Sequence, residues 1–242
     1  MAKHEFDRHL REITTKTEAL AGRSVLAEPG SIVRLKSIRV PEQRKAVKSG
    51  YDFITSDGTR NLRIWDFIWN TTSYMEVMNQ ALYFYQHTEL TRLELRTIMA
   101  WADRCACWEH ADDLSKIYAD VVEANPDWIL PTLKKWNRSS NPWKRRKSMT
   151  SLIEYASKRR RFLPYAELIS QVEPLLEDDE YYVQKGLGWT IREIGNAYPR
   201  EFAAFMTKHA SVLKPHAWSG ATKNLSKADK AKYKELRARS RV

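Results

Sequence analysis

Trp108 and Asp112 stand one helical turn apart in CWEHADDLSK (107–116), within a 242-residue chain whose formal net charge is +11. A carboxylate on so basic a protein weakens the attraction of any polyanion, so it is useful mainly where positive charge develops during a reaction. An indole beside it can pack against a sugar or base and exclude water, which strengthens the field of the acid. The same residues have plainer readings. Asp112 fits the first turn of a helix, where acids complement the dipole, and Asp113 fits a capping role equally well. Trp108 fits a core. A second group lies further on: Tyr182, Lys185, Trp189 and Arg192 recur at i, i+3, i+7 and i+10, while Val183, Leu187, Ile191 and Ile194 form another face. Aromatic rings interleaved with cations suit a nucleic-acid surface.

The other cations cluster. WKRRK (143–147), which holds Arg145, Arg146 and Lys147, and KRRR (158–161) flank one amphipathic segment. The segment after Lys214 adds Lys223, Lys227, Lys230, Lys232, Lys234, Arg237, Arg239 and Arg241 against Asp229 and Glu235. Clusters of this kind suit phosphates, which they bind by releasing counterions, although a charge run can also be a solvated face. Cys105 and Cys107 are the two cysteines. On a helix a C-x-C spacing points them apart, so free thiols in a reducing compartment are expected. Zinc would need both of them, His110 and a fourth ligand, on a spacing unlike the usual finger pairs. No apolar run reaches membrane length and the charged, periodic start MAKHEFDRHLREITTK is no signal peptide. A cytoplasmic, nucleoid-associated protein with no membrane partner is expected.

The elements that position these groups are helices. Eight glycines and nine prolines punctuate the chain, and between them apolar residues recur at helical spacing with no sustained period of two. Helices are predicted at 5–21, 42–49, 60–69, 74–87, 91–104, 110–124, 127–137, 142–157, 163–176, 180–197, 200–209 and 226–238. Thr88 or Thr91, Asn125-Pro126-Asp127, Asn141-Pro142 and Asp178-Asp179 supply start signals. Taken in pairs from residue 74 onward, the helices repeat every 35 to 40 residues or so, as HEAT-like arrays do. The fold expected is an all-α, HEAT-like helical-repeat solenoid of antiparallel helix pairs with a concave basic face. It is expected as one domain over 1–242, with a divergent helical cap at 1–34 and a basic C-terminal segment at 211–242. The first helix of each pair lines the concavity, and Trp108, Asp112, Arg145, Arg146, Trp189 and Arg192 all fall on or beside first helices. Trp65, Trp69, Trp101, Trp128 and Trp136 sit at core-like spacing.

Three segments carry a resemblance. CWEHADDL, NPWKRRKSMTSLI and YVQKGLGWTIREIGNAYPREFAAFM resemble, in order and spacing, the signature segments of the AlkD-type alkylpurine DNA glycosylases, which are built from HEAT-like repeats. IRVPEQRKAVK (38–48) and IWDFIWNTTSYMEVMNQALYFY (64–85) resemble earlier segments of that family, so the similarity runs over roughly residues 35 to 210. The resemblance implies excision of N3- and N7-alkylated purines from double-stranded DNA, without base flipping, by a monomer that needs no metal or cofactor. It implies Asp112 as the catalytic carboxylate, Trp108 and Trp189 as indoles against the lesion-bearing backbone, and Arg146 as a phosphate ligand, with Arg145 an alternative register. Lys147, Lys185 and Arg192 complete the expected DNA contacts. A lyase step would need a lysine nucleophile, and Lys185 is the one to consider.

The match has a gap. AEPGSIVRLKSIRVP (27–41) offers no aromatic side chain for the amino-terminal contacts of the family. Relatives that lack the acid or the indoles bind DNA structures without excision, and a non-catalytic module for distorted or branched DNA is the alternative reading. A peptide-binding scaffold is a third.

Overall fold

The computed structural model describes residues 3–18, 25–26, 33–86, 88–153 and 161–239. Residues 158–160 of the KRRR cluster, Arg241, and the expected helix ends at 19–21 and 154–157 lie outside the described residues. The chain divides into two compact units, Met1–Ile117 and Tyr118–Val242.

The first unit holds α1 (Lys3–Glu18), β1 (Val25–Leu26), β2 (Arg34–Leu35), α2 (Val40–Lys48), α3 (Gly58–Thr71), α4 (Met75–Tyr85), α5 (Arg92–Ala100) and a 3-10 turn, Trp101–Arg104. It ends within α6 (Trp108–Ala124). α5 starts on a reciprocal cap. Thr91 Oγ1 accepts from the Glu94 amide at 3.3 Å, and the Glu94 carboxylate accepts from the Thr91 amide at 2.8 Å. Trp65, Trp69 and Trp101 are buried in the core, as their spacing predicts, together with Tyr85, and Trp69 stacks on Trp101 with ring centroids 5.1 Å apart. Each such ring contributes on the order of 2 kcal/mol by leaving water. The Trp101 indole N–H donates to Asp66 at 2.8 Å, so its polar edge is satisfied. The extended segment after Val33 is fixed by Glu76, whose buried carboxylate accepts from the Lys36 amide at 2.8 and 2.9 Å and the Ile38 amide at 3.3 Å. β1 and β2 pair antiparallel over two residues each, Val25 with Leu35 and Leu26 with Arg34. This ladder departs from a purely helical chain. Two residues are too few to show a period in sequence.

The second unit continues with α7 (Pro126–Trp136), α8 (Pro142–Ile153), α9 (Tyr165–Val172), a 3-10 turn at Glu173–Leu175, α10 (Tyr181–Ala197), α11 (Pro199–His209), α12 (Pro215–Ala221) and α13 (Lys227–Arg239). Asn141 opens α8 by accepting from the Trp143 amide at 2.9 Å. Alternate helices stack: α8 packs on α10, α10 on α12, and α11 on α13. In the first unit α1 packs on α3, α3 on α5, and α2 on α4. That alternation is how a helical repeat buries apolar stripes that no single pair can bury alone.

α12 is an element that the sequence does not announce. Seven residues show less than two turns of period, and His216, Ser219 and Gly220 are weak helix formers. Its place is set by contact with α10. A Cβ added to Gly188 would lie 2.5 Å from the Ala217 carbonyl oxygen, and one added to Gly220 would lie 2.9 Å from the carbonyl carbon of Gly188. The two backbones touch because neither glycine has a side chain. Among the described residues no helix is long and apolar enough to cross a membrane.

Candidate functional site

The inner face of α6 decides what its outer face offers. Cys107, His110, Ala111 and Leu114 are fully buried, with His110 against the Trp69 ring at 5.1 Å between centroids. By helical geometry Trp108 and Asp112 then share the other side. Trp108 is 43% exposed, where the other tryptophans of this unit are 1% or less. Asp112 is half-buried. Its neighbour Asp113 is only 7% exposed and accepts from Gln86 Nε2 at 3.1 Å and Lys116 Nζ at 2.7 Å. Of two adjacent aspartates, Asp113 is held inside, and Asp112 is on the side of the helix that carries the exposed indole.

Cys105 and Cys107 are buried thiols outside any disulfide, and they lie just before α6 rather than within a helix. Burial first, and then Cys105, pushes the Cys107 thiol far above the usual range, which leaves it unreactive. Among the described residues no three His, Cys, Asp or Glu side chains are grouped to hold a metal.

On α10 the two faces separate as the spacing predicts. Val183, Leu187, Ile191 and Ile194 are buried, while Tyr182, Trp189 and Arg192 are half-buried and Lys185 is exposed. Lys185 Nζ lies 5.5 Å from the centroid of the Tyr181 ring, a cation–π distance. Arg192 pairs with Glu193 at 3.2 Å and also donates to the Gly220 carbonyl at 3.5 Å. Tyr181, which is 45% exposed, belongs to this face as well, as its position one turn before Lys185 requires. His216 of α12 stacks edgewise on it at 4.5 Å.

The cations of α8, expected at phosphates, have partners within the protein. Arg145 Nε and Nη2 donate to the two oxygens of Asp178 at 2.6 and 3.3 Å. Its Nη1 donates to the Ser139 and Ser140 carbonyls at 2.8 and 3.0 Å. Arg145 is thus a clamp between the start of α8 and the start of α10. Arg146 is buried, and its Nη1 donates to the Tyr182 carbonyl at 2.6 Å while its side chain lies where a Cβ on Gly186 would be. Lys147 is fully buried, with its ammonium 5.9 Å from the Trp136 ring centroid. Lys147 is therefore a buried cation and not part of the exposed surface.

The family model for the DNA alkylation repair enzyme matches residues 7–225. The chain belongs to the DNA alkylation repair enzyme family. Solved structures agree on the helical-repeat fold. A protein of Enterococcus faecalis described as a predicted DNA alkylation repair enzyme is 20% identical over 81% of this chain and 90% of its own, with a TM-score of 0.64. AlkD2 from Streptococcus mutans is 16% identical over 96% of this chain and 97% of its own, with a TM-score of 0.58. The protein smu.31 from Streptococcus mutans UA159 is 18% identical over 81% and 90%, with a TM-score of 0.52. No curated protein gives a significant match. Membership in the family gives the general role, DNA alkylation repair.

Proposed function

We propose that this member of the family is a monofunctional DNA glycosylase that hydrolyses the bond between deoxyribose C1′ and a cationic N3- or N7-alkylated purine in duplex DNA. The observation that carries the reading is the division of labour on α6: Asp113 is held inside by Gln86 and Lys116, while Asp112 is on the side of the helix that carries the exposed Trp108. The C1′–N bond breaks with its electron pair going to the purine, whose positive charge is neutralised as it leaves. The sugar becomes oxocarbenium-like, and a fixed carboxylate offsets that charge. Asp112 then accepts the proton of the water that adds to C1′. Trp108 covers the sugar and keeps bulk water from screening the acid. The base need not be extruded, because the reaction runs at the sugar. On the second unit, Lys185, Trp189 and Arg192 supply a ring and cations for the DNA backbone.

The test is release of 7-methylguanine and 3-methyladenine from methylated duplex DNA. The parent is expected to release both, and Asp112→Asn to lose at least ~100-fold in rate with DNA binding retained, the scale of one electrostatic stabiliser. Equal release by the two proteins overturns the assignment of the acid. A parent that binds the duplex and releases neither base points to the non-catalytic, structure-binding alternative.

A further inference from the structure

The family match stops at residue 225, and α13 begins at Lys227. α13 completes a further repeat, packing on α11 as α12 packs on α10. A helix with a solvated outer face stays soluble with a balanced mixture of acids and bases. This one is unbalanced. Its sequence KADKAKYKELRAR has six Lys and Arg against Asp229 and Glu235.

Tyr233 and Arg237 help to dock α13. Tyr233 is 4% exposed, with its ring edge-on to Phe202 at 6.4 Å. Arg237 lies 5.0 Å from the centroid of the Trp218 ring and donates to the Ala210 carbonyl at 3.2 Å and to that of Leu213. One cation is therefore spent on docking. Lys227, Lys230 and Lys234 are exposed, follow one side of the helix at i, i+3 and i+7, and enter no ion pair among the described residues. Asp229 is turned to the start of the helix, where it bonds Ser226 Oγ at 2.6 Å.

We propose that α13 is a DNA-backbone arm whose lysine stripe lies along the phosphates of one strand, outside the region where excision occurs. From Lys227 to Lys234 the stripe covers about 10 Å of helix axis. Each strand of a duplex advances about 3.4 Å along the duplex axis per phosphate, and successive phosphates on the strand itself lie about twice as far apart, so the three ammonium groups span about two to three phosphates. Lysine is a point charge without the fork that reads guanine, so the contact positions the protein and carries no sequence preference. The inference rests on the reading that the protein acts on duplex DNA.

The experiment compares the full-length parent, the triple variant Lys227→Gln/Lys230→Gln/Lys234→Gln and the gain variant Ala231→Lys, which adds a cation near the stripe. Binding to an undamaged duplex is measured by fluorescence anisotropy across a salt series, and single-turnover release of 7-methylguanine at saturating protein is scored in parallel. All four substituted side chains are exposed, so the fold is kept. The triple variant is expected to lower the slope of log affinity against log salt by roughly 2 to 3, and Ala231→Lys to raise it by about 1. At ~0.1 M salt the triple variant loses tenfold or more in affinity, with the saturated release rate unchanged. An unchanged slope in the triple variant, a saturated rate that falls with affinity, or a parent with no duplex affinity overturns the arm. A parent that releases no base while the slopes shift as expected removes the glycosylase reading and leaves the arm standing.

Discussion

At the scale of single residues the consequence is that two adjacent aspartates should fail in opposite ways. Asp113 is nearly buried and carries both Gln86 and Lys116, so its removal leaves a part-buried ammonium and an amide without their acceptor. Breaking a pair of this kind costs about 2 to 3 kcal/mol, somewhat less than a fully buried one. Asp113→Ala is expected to lower the urea midpoint accordingly, with the release rate of the folded fraction close to that of the parent. Asp112→Asn should do the reverse, keeping the midpoint within ~1 kcal/mol while release is lost. Midpoints and rates measured on the same preparations check this. Loss of release in Asp113→Ala without loss of stability would transfer the chemistry to the wrong acid. The sequence marks both residues as equally good for a helix start, and what separates them is Gln86, 27 positions away. A distance of that kind is invisible to local spacing.

At the scale of elements, α10 is held on one side by a glycine contact that has no slack. Gly188→Ala gains helix propensity, worth about 1 kcal/mol. Against that, its Cβ would meet the Ala217 carbonyl oxygen at 2.5 Å and the Gly220 Cα at 3.0 Å, and backbone cannot swing aside as a side chain can. Overpacking wins, with a net loss of about 1 to 2 kcal/mol in thermal or urea unfolding. Gly58→Ala is the control. It would meet only Glu94 Oε1 at 3.7 Å, and is expected to be neutral or stabilising by a few tenths of a kcal/mol. Equal effects of the two substitutions would mean that α12 is not packed on α10 in solution. The long helices and their starts were legible because period and caps are local signals, as at Thr91 and Asn141. α12 was not, since what defines it is the fit of Gly220 onto Gly188. The engagement of the α8 cations is hidden from the sequence for a related reason. Arg146 through Ser151 are all buried, so this helix has no polar face for a pattern to reveal. Its arginines are claimed by Asp178 and the Tyr182 carbonyl, 33 and 36 positions further on.

At the scale of the whole molecule the charge is unevenly shared. Residues 118–242 hold 24 Lys and Arg against 14 Asp and Glu, a net +10 of the total +11. The candidate acid therefore belongs to the nearly neutral unit, and most of the attraction for a polyanion comes from the other. Acidification adds positive charge to both, but one histidine in the first unit resists it for a structural reason. His9 is buried against Phe53, with ring centroids 4.8 Å apart. Burial lowers its pKa from the ordinary 6.5, and Arg8 and Arg60 lower it further. The unfolded chain then takes up this proton more readily than the folded one, so stability rises with pH across the interval between the two values. The contribution is complete above about pH 6.5 and is lost as pH falls through the lowered folded value. Urea midpoints of the parent and of His9→Gln at about pH 7.5 and about pH 5.5 isolate the effect, because both proteins share every other titrating group. The parent is expected to lose more stability between the two conditions than the variant. An equal loss in both would place the His9 ring in water in the native protein, and with it the packing of α1 on α3 would have to be redrawn.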